Sequence, residues 1–363
     1  MNYKRFFAKN YVNAIGWRTN RKLMAIESDD WGATAMPSLE VAQKLKDVGV
    51  DIGTYFYKYD HLESNTDFEA LYDVLSSVKD KNGHSAILSA ECVVCNPNYE
   101  SIEANGKTTY IPESIIDTYK RFRCCDKSYA LFMQGIKERL IHPQFHGREH
   151  FHVKSLMEDI NNNNPKKQLA FQLKASVVEG QRFSALDYCD PKEEPQMRTI
   201  ITDGLNRFEQ IFGFRTKSYV CPTNVLGLGI NKIFADNGVL FSQTGQQYWR
   251  MADGSIKLNN YYWGQKDENN ITYWRRNCTF EPTRNQDLDW VDRCLKEIAI
   301  AFFWGKPAVI NSHRVNYIGS LYENNRTESL KKLKTLLSAV IKRWPTIEFI
   351  HSEGLATIIE HTP

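Results

Sequence analysis

Short apolar runs alternate with amphipathic stretches along the chain, and this alternation limits the folds open to it. Residues 23–28, 86–94 and 308–312 have the length and composition of buried strands. Residues 67–81 and 328–343 place apolar side chains at helical spacing. Strands that alternate with helices imply βαβ units and a parallel sheet. Roughly seven such units in one chain predict an α/β fold with a closed or nearly closed barrel.

The composition is that of a globular protein. Of the 363 residues, 42% are hydrophobic and 25% are charged, which is enough for one large α/β domain. No internal repeat and no linker rich in glycine, serine or proline divides the chain. We therefore expect a single domain over residues 1–363, with residues 1–22 as an N-terminal extension.

Charge and hydropathy restrict the partners and the compartment. A net charge of +3 without a basic stripe gives no indication of nucleic-acid binding. No run approaches the roughly 18 apolar residues of a membrane helix. The first 22 residues are basic but lack the apolar core and cleavage site of a signal peptide. This favours a cytoplasmic protein over one whose leader has been lost.

The cysteines are expected to be free, buried thiols, because the chain is large and shows no export signal. Cys92 and Cys95 have the spacing of a redox or zinc motif, but no second pair follows. The pair ends an apolar run, so a structural role is favoured. The eight cysteines are Cys92, Cys95, Cys124, Cys125, Cys189, Cys221, Cys278 and Cys294.

Four of the nine histidines lie within eleven consecutive residues. Two pairs have the spacing that lets imidazoles on one helical turn reach a single metal ion: His142 with His146, and His146 with His150. Pro143 disfavours a helical turn between the first pair. Gly147 lets the second pair span a strand-to-helix turn. We therefore predict His146 and His150 as ligands, with His142 and His152 either behind them or in a purely structural role.

Two further polar groups follow predicted strands. Asp29 and Asp30 leave the first apolar run, where adjacent carboxylates need a metal, a cation or hydrogen bonds. The alternative is an N-cap for the following helix. His313 follows residues 308–312 and is either a general acid or an ordinary histidine at the rim. Because the carboxyl ends of barrel strands carry active sites, we expect these groups to lie near His146 at one mouth.

The order of these segments resembles the polysaccharide deacetylase family, carbohydrate esterase family 4 and its relatives. Residues 27–30 are similar to the family's first motif, which ends in an Asp doublet and Gly. His146 and His150 match its HxxxH motif, and residues 311–313 match its late Leu-x-His motif loosely. The resemblance extends over residues 23–355 and implies a distorted barrel of seven, mostly parallel strands.

The resemblance also implies roles for the individual residues. Asp30, His146 and His150 are expected to bind one divalent metal ion, Asp29 to act as the general base, and His313 as the general acid. Two imidazoles and a carboxylate suit Zn²⁺ best, with Co, Ni, Mn or Fe as alternatives.

The chain departs from the family pattern in three places. Trp31 separates the Asp doublet from Gly32. No arginine adjoins Pro222, so the arginine that steadies the base is expected either to be Arg275, Arg276 or Arg314 or to be absent. Residues 51–65 form a longer connection than a minimal member has, and we expect this insertion near the cleft.

The residues that contact the substrate or lie behind the site are assigned without a complete sequence motif. We expect the backbone N–H of Thr223 or Asn224 to meet the oxyanion, and Trp31 and Arg314 to contact the substrate. Arg275 is expected, with His142, to lie behind the groups that touch the metal or the substrate.

These residues predict a metal-dependent hydrolase that removes acyl groups, above all acetyl, from a sugar or polysaccharide. The N- and O-linked cases stay open. One alternative is a glycoside hydrolase of a related barrel superfamily, which needs two carboxylates about 5–9.5 Å apart. The other is a degenerate barrel that binds glycan without catalysis, a reading that the missing arginine beside Pro222 favours. The expected partner is a carbohydrate.

Overall fold

In a computed structural model of the protein, residues 3–52, 58–162, 164–176 and 184–361 are described. The strands among them are β1 (Lys22–Trp31), β2 (Leu88–Val93), β3 (Cys95–Pro97), β4 (Pro112–Ser114), β5 (Ile141–Gly147), β6 (Ser218–Tyr219), β7 (Val225–Gly227), β8 (Phe241–Ser242), β9 (Gln246–Arg250), β10 (Ile256–Asn260), β11 (Thr272–Tyr273), β12 (Cys278–Thr279), β13 (Ala308–His313) and β14 (Ile347–Phe349).

The α-helices pack around these strands, and none in the described part of the chain combines the length and apolar character needed to cross a bilayer. They are α1 (Tyr3–Ala14), α2 (Leu39–Asp47), α3 (Asn65–Ser76), α4 (Tyr99–Ala104), α5 (Ile115–Lys120), α6 (Ser128–Lys137), α7 (Val153–Asn161), α8 (Pro165–Gln172), α9 (Glu194–Phe212), α10 (Ile230–Asp236), α11 (Trp290–Phe303), α12 (Glu323–Arg343) and α13 (Ser352–His361).

The main sheet is curled into a half-barrel. Its strands are hydrogen-bonded in the order β11-β8-β6-β5-β2-β1-β13-β12, and β14 pairs with the start of β1. Every pairing in it is parallel. A flat sheet of this order would place its outer strands roughly 34 Å apart. Only residues 274–277 connect β11 to β12, and that connection spans at most about 17 Å. The sheet therefore curls, which confirms the predicted α/β class with mostly parallel strands.

The N-terminal residues pack on the edge of the sheet formed by β12. Arg5 of α1 forms an ion pair with the buried Glu297 of α11, and Lys9 donates to the carbonyl of Asn277, 2.6 Å away. These contacts tie the predicted extension to the strand edge through charged groups on α1.

All eight cysteines are free thiols, as expected. Cys124 is exposed and Cys189 half-buried, so these two differ from the expected buried state.

Trp31 lies in the core, and its predicted contact with a substrate is wrong. Its side chain is 1% exposed and packs against Phe68 and Phe132, with ring centroids 5.7 and 6.2 Å away. The indole N–H donates to Ser28 Oγ at 3.0 Å. A register shift in β1 just before Trp31 directs this side chain away from the strand end and into the helical layer.

Replacing Trp31 with Ala should lower the free energy of unfolding by about 3–5 kcal/mol, because the truncation leaves a cavity among fixed aromatic rings. Urea denaturation followed by circular dichroism measures the change. Phe303 is 78% exposed, so Phe303→Ala is the matched control and should shift stability by less than about 0.5 kcal/mol. Equal effects of the two variants would contradict the core position of Trp31.

Candidate functional site

A bulge at the end of β1 brings both members of the Asp doublet to one cleft. Asp29 pairs in register with His313 of β13, but the ladder to β2 shifts between Ser28 and Trp31. Asp30 occupies the left-handed region with φ +76°, which Asp tolerates better than most residues. On a regular strand adjacent side chains point to opposite faces. The bulge removes that alternation, and both carboxylates line the same cleft.

A second bulge places His146. The register between β2 and β5 shifts so that Phe145 and Gly147 face successive residues, which leaves His146 as the extra residue. Its Nδ1 lies 2.9 Å from the carbonyl oxygen of Val220, a contact that fixes the ring. Its Nε2 is buried, lies 3.3 Å from Asp30 Oδ1, and makes no hydrogen bond of ordinary geometry within the described residues. This orphaned lone pair is a suitable metal ligand.

His150 completes a three-residue group with Asp30 and His146. Its Nε2 lies 2.9 Å from Asp30 Oδ1, and one ligand atom from each residue falls within 4.8 Å of the others. Burial by itself would raise the pKa of Asp30, but the two imidazoles hold it well below the usual range. Two imidazoles and one ionised carboxylate around a common point form the donor set of a mixed nitrogen–oxygen metal site.

Arg276 supplies the cation beside Asp29. Its Nη1 lies 2.8 and 2.7 Å from the two Asp29 oxygens, and its Nε lies 2.7 Å from Glu27 Oε2. Burial alone would raise the pKa of Asp29, whereas the Arg276 charge, with smaller contributions from His146 and His313, lowers it. Asp29 therefore stays ionised at neutral pH.

The assignment of Arg275 to this position is wrong. Its guanidinium donates to the carbonyl of Tyr261 at 2.7 Å, on the other side of the connection between β11 and β12. Adjacent residues of an extended segment point in opposite directions, so only one of the two arginines reaches the half-barrel interior. The sequence made Arg275, Arg276 and Arg314 equal candidates for the contact with Asp29, and it contained no signal that distinguished among them.

His313 is held in its protonated form. Its Nδ1 lies 2.6 Å from Glu281 Oε1, and its Nε2 is 3.9 Å from Asp29 Oδ2. Burial by itself would lower the pKa of His313, but the carboxylates of Glu281, Asp30 and Asp29 together outweigh burial and raise the pKa to about 10, with Glu281 contributing most. An imidazolium thus faces the same cleft as the Asp29 carboxylate.

The turn after Pro222 contributes one of its two candidate residues to the cleft. Thr223 and Asn224 both have φ +58°, which is strained for residues with a side chain. Thr223 lines the cleft, whereas the amide of Asn224 donates to the carbonyl of Cys221 at 3.1 Å. The geometry therefore favours Thr223 over Asn224 as a donor toward a ligand.

The predicted contact of Arg314 with a substrate is wrong. Its side chain is completely buried and forms ion pairs with Asp60 and with Glu63 Oε2, the latter at 3.0 Å. Asp60 lines the cleft, whereas Arg314 does not. Arg314 therefore positions Asp60 instead of touching a ligand.

His142 lies far from the predicted metal ligands. It stands four residues before His146 on β5, which corresponds to about 13 Å along a strand. Its Nε2 is 2.8 Å from Glu353 Oε2, and its ring centroid lies 3.9 Å from that of His351, with the two rings tilted by 33°. His142 belongs to the amino end of the sheet, so its predicted place behind the metal ligands is wrong.

Sequence reasoning missed several residues of the cleft. Asp60 falls inside residues 51–65, the predicted insertion, of which residues 53–57 lie outside the described residues. Asn96 and Ser176 had no motif that indicated them. The lining residues are Asp29, Asp30, Ala33, Thr34, Ala35, Asp60, Asn96, His146, His150, Phe151, Ser176, Thr223 and His313.

No protein-family model and no curated protein matches the sequence. Solved structures with a related chain path include a probable polysaccharide deacetylase from Pseudomonas aeruginosa PAO1, at 11% identity over 93% of this chain and 91% of that one, with a TM-score of 0.46. Puue allantoinase is 11% identical over 95% and 91% of the two chains, with a TM-score of 0.41. A GH57-type branching enzyme from Pyrococcus horikoshii is 10% identical over 95% and 71%, also at 0.41. Similarities this low carry no argument about activity.

Replacing Arg276 with Met should lower the free energy of unfolding at pH 7 by about 3–5 kcal/mol, because it leaves two buried carboxylates without their cation. The deficit should shrink as the pH falls, since the Arg276 contribution disappears once Asp29 takes up a proton. Urea denaturation at several pH values measures both effects. Arg275→Met removes one hydrogen bond to a carbonyl and should cost about 1 kcal/mol. A larger loss in Arg275→Met would contradict the assignment of Arg276.

Proposed function

We propose that this protein is a metal-dependent hydrolase that removes acyl groups, above all acetyl, from a carbohydrate. The observation that carries the proposal is the convergence of Asp30, His146 and His150 on one point, next to the ionised Asp29 and the protonated His313. A ligand set, a base and an acid thus face one cleft. The fold is the α/β half-barrel described above, with the site at the carboxyl ends of β1, β5 and β13.

The metal ligands in this proposal are Asp30 Oδ1 and the Nε2 atoms of His146 and His150. The buried Nε2 of His146, with its Nδ1 held by the Val220 carbonyl, supports the fit of a divalent ion. The donor set suits Zn²⁺. When bound, the ion would supply Lewis-acid polarisation of the acyl carbonyl and acidify a water molecule.

Asp29 is the proposed general base. It is ionised, 8% exposed, and both of its oxygens accept from Arg276. These hydrogen bonds fix the orientation of the carboxylate toward the cleft while a lone pair remains available for the proton of the attacking water. A carboxylate with a lowered pKa is a weak base, so its contribution rests on orientation.

His313 is the proposed general acid. The Glu281 carboxylate keeps its imidazolium charged, and the second oxygen of Glu281 accepts from Asn316 Nδ2 at 2.8 Å, which fixes the pair. From this position Nε2 would donate a proton to the departing amine or alcohol. The neighbouring Thr223 N–H is the proposed donor to the oxyanion.

Polar groups around the cleft are compatible with a sugar. Asp60, Asn96 and Ser176 line it beside the apolar face of Phe151, and hydroxyl-rich ligands are recognised by such mixtures of acceptors, donors and a ring. The absence of an arginine beside Pro222 favoured a non-catalytic barrel. In this proposal Arg276 takes the role of that arginine, because it forms the ion pair with Asp29.

Acetate release from a panel of N- and O-acetylated sugars is the direct test, measured on protein with its metal content known. Asp29→Asn should reduce kcat by at least about 100-fold, because the base is lost, while the bound metal stays near the wild-type amount. His150→Ala should lower the metal content measured by elemental analysis.

The matched control for the ligand variant is His142→Ala, which removes a histidine of the same strand region at the far end of the sheet. It should leave metal content and acetate release unchanged. Full activity in Asp29→Asn, or equal metal loss in the two histidine variants, would overturn the proposal. Release of reducing sugar without acetate would instead indicate a glycoside hydrolase.

The pH dependence of kcat/KM tests the acid. His313 must carry its proton, so activity should fall as the pH rises through its pKa of about 10. Glu281→Gln removes the charge that raises this pKa and should move the basic limb of the profile to lower pH. Glu353→Gln breaks a similar carboxylate–histidine pair, with His142, outside the cleft. A basic limb that moves in neither variant, or equally in both, would exclude His313 as the acid.

A further inference from the structure

A second group of metal-ligating side chains lies outside the candidate site. His61, Cys124 and Cys125 each place one ligand atom within 4.8 Å of the others. His61 follows Asp60 in the chain, whereas the two cysteines end the 3₁₀ turn Arg123–Cys125. The cluster therefore joins two segments that are more than sixty residues apart in sequence. None of its three members lines the cleft around Asp30.

The distances in this cluster fit tetrahedral coordination. The Sγ atoms of Cys124 and Cys125 are 3.6 Å apart. Two thiolates bound to zinc at about 2.3 Å, with a tetrahedral angle between them, are about 3.7 Å apart. The same separation is far longer than the roughly 2.04 Å of a disulfide bond. The cysteines are thus spaced as two ligands of one ion.

His61 is oriented as metal-bound histidines usually are. Its Nδ1 lies 3.1 Å from the carbonyl oxygen of Met36, so the proton belongs on Nδ1 and the lone pair on Nε2. The edge-to-face contact with Phe122, with centroids 4.6 Å apart, holds the ring in place. The imidazole is 3% exposed, so it is positioned before any ion binds.

We propose that His61, Cys124 and Cys125 form a second metal site, which binds a soft divalent cation such as Zn²⁺. Two thiolates and one imidazole are the ligands that select zinc over magnesium or calcium. Binding releases the two thiol protons to solvent. Cys124 is exposed and Cys125 is buried. The fourth coordination position of a tetrahedral ion would be filled by a water molecule or an external ligand.

The site has a structural consequence for the cleft. The carbonyl of Asp60 accepts hydrogen bonds from the amides of Ala35 and Met36, at 3.3 and 2.9 Å. An ion on His61 would tie this segment, and with it the Asp60 carboxylate in the cleft wall, to the turn that carries the cysteines. The second site therefore fixes the cleft wall while contributing no group to the reaction.

Cobalt substitution tests the proposal separately from the function proposed above. Metal-free protein is titrated with Co²⁺ while the near-ultraviolet thiolate-to-cobalt charge-transfer absorption is recorded. The site at Asp30 contains no sulfur, so only the cysteine cluster gives this band. We expect one equivalent of Co²⁺ to produce it, and Zn²⁺ to abolish it by displacement.

Single substitutions assign the band. Cys124→Ser should remove most of the absorption and one equivalent of Zn²⁺ in elemental analysis, and His61→Asn should weaken binding at least tenfold. His150→Ala should remove the other equivalent and leave the band intact. Cys189→Ser is the matched control, because that thiol is partly exposed and lies outside the cluster. Since Cys124 is exposed, its substitution should leave unfolding of the metal-free protein unchanged.

Three results would overturn the proposal. The first is the absence of a charge-transfer band in the reduced wild-type protein. The second is a band of wild-type intensity in Cys124→Ser. The third is a disulfide bond between Cys124 and Cys125 in the native protein. Mass spectrometry would detect it, because the peptide that contains both cysteines would be lighter by two hydrogen atoms. A wild-type protein that gives the band but releases no acetate from any acetylated sugar would count against the proposed function alone.

Discussion

The buried Arg276 guanidinium is the interaction on which the rest of the structure depends. It contacts Glu27 and Asp29 of β1, Asn311 of β13 and Gln243 after β8, all at 2.7–2.9 Å. A buried charge is tolerated only when its hydrogen-bonding groups are satisfied, and here the partners come from β1, from β13 and from the residue that follows β8. The side chain that orients Asp29 is therefore also the one that holds the two edges of the half-barrel together.

The interior of the half-barrel is polar around this arginine, whereas barrel interiors are more often filled with branched apolar side chains. Gln243 links Ser218 to Glu91, with contacts of 3.0 and 2.9 Å. Burial, reinforced by Glu27, raises the pKa of Glu91 well above its usual range, so this carboxyl is held neutral. A single cation, Arg276, thus compensates the ionised carboxylates of the interior, and hydrogen bonds satisfy its neutral polar groups. The network orients the residues of the cleft through fixed hydrogen bonds instead of packing alone.

Local sequence patterns predicted the fold class and the strand ends, because the periodicity of apolar residues along a short segment indicates its secondary structure and burial. They also indicated His146 and His150, and the family resemblance selected Asp30 from the Asp doublet; the structure brings the ligand atoms of all three together. The local patterns failed for Trp31, because no sequence signal indicates the bulge that directs this side chain into the core. The positions of Arg276 and Asp60 in the site depend on contacts between segments that are distant in sequence. A single sequence does not indicate which distant segments make contact. His142 and Arg275 were misplaced because strand direction, and not spacing, decides which end or face a side chain reaches.

The pairing of β1 with β13 has a consequence for biosynthesis. Asp29 and His313 are aligned in register although they stand near opposite ends of the chain. While a ribosome synthesises the protein, the backbone N–H and C=O groups on one edge of β1 stay unpaired until the residues of β13 emerge. Exposed strand edges of partly made chains are prone to intermolecular association. The alignment that joins the two halves of the site therefore creates a late folding step and a period in which chaperone protection of the nascent chain is most useful.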